Sequence, residues 1–172
     1  MFAQTKKESA IVVFSQKYDI ISMNEWRNFM KTIVLRFNDN NAPEEGMIYH
    51  HNQIINKYGY VWYGKFGNRI SDENIKALNN LDNNEKKFLF VRNGMKDVYW
   101  AFFDEISRTI EEEKTVPKYY RDEINNISSW FKIKKIEKVD ADILDKCSVI
   151  SSQKKLSEAI RHSMNPCFVI EI

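Results

Sequence analysis

Between Tyr58 and Gly67 the chain reads YGYVWYGKFG, which gathers five aromatic rings, three glycines and one lysine in ten residues. Flat π faces stack on flat ligands, and an ammonium group meets phosphate or carbonyl oxygen, so this mixture carries binding chemistry more than bond-breaking chemistry. On an extended backbone, Tyr58, Tyr60 and Trp62 fall on one face and Val61, Tyr63 and Lys65 on the other. Two readings stay open for the all-aromatic face. It packs as half of a core, against the apolar stripe that includes Trp26, or it faces a ligand. Gly59 and Gly64 weaken a strand interior, and they mark bulges or the close approach of another group. Further cations flank the aromatic segments at Arg69, Arg92 and Lys96, and Lys132, Lys134, Lys135 and Lys138 crowd one short span. These are either solvated surface charge or phosphate contacts.

Acid–base and metal chemistry find little to work with. His50 and His51 are adjacent, and neighbours point apart on a strand and diverge by about 100° on a helix, so they do not form one site alone. His162 reaches them only through the fold, and the acidic pairs Glu44-Glu45 and Asp104-Glu105, with Asp97, form no ligand pattern. Cys147 and Cys167 lack a C-x-x-C partner and read as core thiols. No glycine-rich phosphate loop, G-x-S-x-G elbow or H-E-x-x-H helix occurs. The expectation is no catalytic residue, no metal and no cofactor.

The elements that position the rings follow from composition and spacing. At 172 residues, with 43% hydrophobic and 29% charged side chains, the chain fits one α+β domain spanning residues 1–172. A net charge of +2 does not announce a nucleic-acid protein by itself. No apolar run reaches the roughly 18 residues a membrane span needs, and the first residues lack a signal-peptide pattern, so a reducing cytoplasm is expected. Low glycine with frequent Asn, Ile and Lys fits an AT-rich bacterial genome.

Ile11 to Ser15 reads as a strand, and the Ser22-x-x-Glu25 capping box with Trp26, Phe29, Met30, Ile33, Val34 and Phe37 predicts a helix over about Met23 to Phe37. A turn-rich loop (38–46) follows, then one or two helical turns around Ile48 to Ile55, then the aromatic strand 58–66. Ser71 caps a short helix carrying Ile75 and Leu78, and FLFVR-NGMKD-VYWAFFDEIS predicts a hairpin over 88–107. After the charged loop EEEKTVPKYY comes a basic strand, 129–139, with a bulge near Lys134 and Lys135. Asp140 and Ser152 cap short helices, and a terminal strand closes the chain over 166–172. The result is a small, curved, mostly antiparallel sheet or open barrel of five or six strands with flanking helices.

This order of elements resembles the PUA-like superfamily, the small barrels that include the EVE, YTH and ASCH domains. The resemblance is best over residues 88–172, from the paired strands FLFVRNGMKDVYWAFFDEIS through WFKIKKIEKVDADIL to SEAIRHSMNPCFVIEI. It implies a non-catalytic module that binds nucleic acid or a nucleotide-like ligand, often a modified or flipped base in an aromatic pocket with a basic rim. Under it, Trp62 with Tyr60 or Tyr63 supplies stacking faces, Trp100 or Trp130 stands opposite, Lys65 sits beside them, and Arg69, Arg92 and Lys132 meet phosphates. The expected role is that of a sensor in a bacterial defence or restriction system. The alternatives are a small enzyme on a nucleotide or nucleic acid, with His50 or His51 as general base and Lys65 and Arg92 on phosphate, or a subunit whose aromatic face meets a protein partner. If Trp62 stacks on a base, Trp62→Ala loses ligand with little loss of stability; if it is core, the fold suffers.

Overall fold

The computed structural model describes residues 30–40 and 42–172. The expected strand Ile11–Ser15, the capping box at Ser22 and the rings of Trp26 and Phe29 lie outside the described residues. What is described of the expected helix is not helical. Lys31–Phe37 is strand β1, which runs parallel to β3 (Lys87–Arg92) on one side and antiparallel to β7 (Cys167–Glu171) on the other. A strand buried on both faces carries a nearly continuous apolar run, and such a run also satisfies a three-and-four spacing. The β-branched triplet Thr32-Ile33-Val34 is the feature that favours the strand, because those side chains lose rotamer freedom in a helix.

The chain then forms α1 (Met47–Tyr58), β2 (Val61–Phe66), α2 (Asp72–Asn79), β3, β4 (Val98–Ser107), two 3-10 segments (Glu113–Thr115 and Lys118–Asn126) and β5 (Ile127–Val139). It closes with α3 (Ile143–Lys146), β6 (Ser148–Val149), α4 (Leu156–His162) and β7. The strands make one seven-stranded sheet in the order β2-β5-β4-β3-β1-β7-β6, antiparallel except for β1 with β3. Side-chain alternation splits the core in two. Ile33, Leu35, Phe37, Phe88, Phe90 and Phe131 belong to one cluster, while Val34, Leu89, Val91, Leu144, Leu156 and Ile170 belong to the other.

Local chemistry fixes the pieces. α1 runs for three turns instead of the one or two expected; Asp39 Oδ1 accepts from the Met47 N–H at 2.8 Å to satisfy its start. Gly59, expected within the aromatic strand, is instead the left-handed C-cap of α1, with φ 86° and its N–H on the Ile55 carbonyl at 2.7 Å. Tyr58 is therefore the last helical residue, and only Val61–Phe66 is extended. Ser71 Oγ accepts from the Asn74 N–H at 3.2 Å and starts α2. In the hairpin, Phe88 faces Ala101 and Val91 faces Val98. β4 and β5 each carry one extra residue, Asp104 and Lys134, which the register skips, and these two bulged residues pair across the strands at 2.8 Å. Asp140 turns its carboxylate onto the Asp142 N–H at 3.1 Å, whereas the N-cap of α4 is Lys155 and not Ser152.

Candidate functional site

Tyr63 and Lys65 are two residues apart on β2 and share a face, so what one faces the other faces too. Both line a cavity of about 260 Å³ together with Arg36 and Phe37 of β1, Phe66, and Tyr119 and Tyr120 of the longer 3-10 segment. Its wall is a ring cluster in edge-on arrangement: Tyr119 and Tyr120 have centroids 4.7 Å apart, Phe66 lies 5.6 Å from Tyr120, and Tyr63 lies 6.3 Å from it. Gly64 leaves room for the Ile127 side chain of β5, since a Cβ there would sit 2.5 Å from Ile127 Cδ1.

The charged groups of the cavity, Lys65 and Arg36, are both cationic. Lys65 is only 4% exposed, and its Nζ donates to the carbonyls of Phe66, at 3.3 Å, and of Asn68. Burial lowers its pKa, with Cys167 opposing weakly. Arg36 donates from one terminal nitrogen to the Ser163 carbonyl at 2.6 Å, and its buried Nε has no partner among the described residues. Neither cation is paired with a carboxylate among the described residues. Buried charge without a counter-charge is costly, and a ligand bringing acceptor oxygens or negative charge relieves that cost.

Behind the rings stands His51, fully buried on α1. Its Nδ1 lies 2.8 Å from the Met47 carbonyl, so Nδ1 carries the proton and Nε2 holds a lone pair that meets no described donor. Burial pushes its pKa down to about 4, against a weaker backbone hydrogen bond that favours the charged form. His51 is thus a neutral aromatic wall near pH ~7. His50 points elsewhere, to Glu45 at 3.1 Å. The phenols of Tyr63, Tyr119 and Tyr120 are all shifted upward by burial and stay protonated donors. Among the described residues, no group of three or more His, Cys, Asp or Glu is placed to hold a metal ion.

The other expected site residues lie elsewhere. Trp62 is fully buried in the core, its indole N–H without a described partner. Tyr60 stands edge-on to it at 6.4 Å, and Lys132 Nζ covers the Tyr60 ring at 4.6 Å and the Trp62 ring at 5.7 Å while bonding Glu111. Those three residues are therefore one packed cation–π unit. Trp130 is buried 6.2 Å from Tyr120 and does not line the cavity. Trp100 packs beside the second core cluster, under Lys87. Arg92 is held by Asp39 and by Asp97, at 3.3 Å, and ties the 38–46 loop to the hairpin. Arg69 is exposed beside a smaller recess that also touches Lys65. The structure thus brings Tyr63 and Lys65 together and adds residues the spacing did not single out: Arg36, hidden inside the expected helix, and Tyr119 and Tyr120, at the end of what reads as a charged loop. Adjacent tyrosines after Val116-Pro117 are the one sequence signal that pointed there.

A protein-family model described as Pua-like matches residues 33–164. The chain belongs to the Pua-like family. No curated protein and no solved structure matches it. The seven-stranded, mostly antiparallel sheet with flanking helices is the α+β fold of this Pua-like chain, and the family points to a nucleic-acid-binding module. Among the described residues no helix is long and apolar enough to cross a membrane.

Proposed function

We propose that this Pua-like chain is a non-catalytic reader that draws one unstacked base of a nucleic acid into the cavity between β1, β2 and the Lys118–Asn126 segment. The observation that carries the reading is the pairing of an aromatic wall with Lys65 and Arg36, two cations that meet only backbone carbonyls among the described residues. An extracted base loses its stacking neighbours, and aromatic contacts return about 1 to 3 kcal/mol per base. Its carbonyl oxygens or ring nitrogens are acceptors that suit Lys65. At about 260 Å³ the cavity is smaller than the sites that take drug-sized ligands, so it suits a ring system better than a whole nucleotide. A reader selective for a modified base has the property a sensor in a bacterial defence or restriction system needs, and we extend the proposal to that role.

The test is fluorescence anisotropy with labelled single- and double-stranded DNA and RNA, with and without modified bases, at physiological salt. Saturable binding that tightens for one base or modification and weakens in Tyr119→Ala supports the reading. Binding that ignores base identity, or an abasic strand that binds as well as an intact one, overturns it.

A further inference from the structure

A second depression lies between the C-terminal half of α1 and the two 3-10 segments, with a volume of about 820 Å³. Lys57, Lys114, Lys118 and Arg121 line it with the rings of Tyr58 and Tyr119, and no carboxylate is among its lining residues. Lys57, Lys118 and Arg121 are exposed and form no ion pair with a described residue. The acids nearest by pairing are Glu112, 3.2 Å from Lys114, and Glu45, 3.1 Å from His50. Lys57 Nζ and Lys114 Nζ lie 5.1 and 5.8 Å from the Tyr58 ring centroid, so the lysines are gathered around one aromatic body. Tyr119 lines both this groove and the smaller aromatic cavity, so the two adjoin at this residue.

We propose that this groove is the track for the phosphodiester backbone of the strand whose base enters the cavity, with Lys57, Lys118 and Arg121 as its phosphate contacts. This rests on the base-cavity reading and adds where the strand runs. Unpaired cations on a concave face attract phosphates with no desolvation of a competing carboxylate, and the half-buried rings of Tyr58 and Tyr119 offer edges for flanking bases. Phosphate contacts of this kind position the strand, and selection is left to the cavity.

The experiment compares the full chain with a Lys57→Gln/Lys118→Gln/Arg121→Gln variant and with Lys65→Met, titrating a labelled single strand across a series of salt concentrations. Each phosphate contact contributes about 0.7 to the slope of log K against log salt, so the triple variant lowers the slope by about 2. Its affinity falls at least tenfold, its melting temperature is unchanged, and base preference survives. Lys65→Met lowers affinity for the preferred base and leaves the slope alone. An unchanged slope in the folded triple variant overturns the track, even where Lys65→Met loses binding. Loss of slope in the triple variant with no effect of Lys65→Met keeps the track and sinks the cavity reading instead. Equal affinity of the unmodified protein for polyglutamate and for an oligonucleotide of matched charge also overturns the track, because the groove then reads charge alone.

Discussion

Replacing Lys65 by methionine separates the cavity's binding role from its structural one. Methionine keeps an unbranched side chain of similar length and removes only the charge and its donors. In the free protein, Lys65 Nζ is desolvated and donates to two backbone carbonyls, of Phe66 and Asn68. Loss of the donors orphans those carbonyls at about 1 to 3 kcal/mol, and loss of the buried charge removes a desolvation cost of similar size. Folding stability therefore changes by less than about 2 kcal/mol, and Ser128 Oγ still reaches the Asn68 carbonyl at 3.5 Å. Binding has no such compensation. A charge-assisted hydrogen bond to a base carbonyl is worth about 1.5 to 3 kcal/mol, so affinity for the preferred strand falls roughly 10- to 150-fold.

The assay is anisotropy at one salt concentration on protein whose urea midpoint has been measured first. A folded Lys65→Met protein that binds within threefold of the unmodified chain would falsify the assignment of Lys65 to the ligand. The same side chain supplies a pH check. Its folded pKa is depressed, so between that value and 10.5 the unfolded chain binds more protons and stability rises with pH. Lys65→Met removes that rise.

Trp62→Ala empties a fully buried indole site and is expected to cost about 3 to 5 kcal/mol in urea denaturation. A loss under about 1 kcal/mol restores Trp62 as a ligand face. Gly64→Ala places a Cβ against Ile127 and costs about 1 to 3 kcal/mol, and Ile127→Val in the same chain recovers part of it; additive costs in the double-mutant cycle show that the clash is not the cause. His51 has a folded pKa of about 4 against 6.5 unfolded, so the unfolded state takes up more protons in that window and stability falls on acidification. The unmodified chain loses about 2 kcal/mol from this group between about pH 7 and 5. His51→Phe is expected to lose that much less over the same interval, and parallel pH profiles would show that His51 is already solvated.

Hairpin and terminal strand were legible because their signals are local. An Asn-Gly turn between β-rich runs and a closing apolar hexapeptide need no distant partner to be read. β1 was not, because its central place between β3 and β7 decides the conformation of Lys31–Phe37, and that pairing lies more than fifty residues away along the chain. With β1 read as helix, Arg36 was lost from view as a cavity residue.

The rings show how the same limit acts on the site. Composition locates aromatic mass at Tyr58 to Phe66, but only the fold divides it between packing and opening. Trp62, the largest ring of the stretch, is consumed by the core, and Lys132 covers what Tyr60 offers. Tyr63, one residue on, faces the cavity because strand alternation turns it to the other side, where Tyr119 and Tyr120 arrive from a segment with no periodic pattern of its own. A cavity assembled from one strand residue in two and one irregular turn leaves no linear motif. What it leaves is a polar signature, Lys65 buried among rings with carbonyls for company, and that signature makes a single charge-removing substitution the sharpest probe of what this Pua-like chain binds.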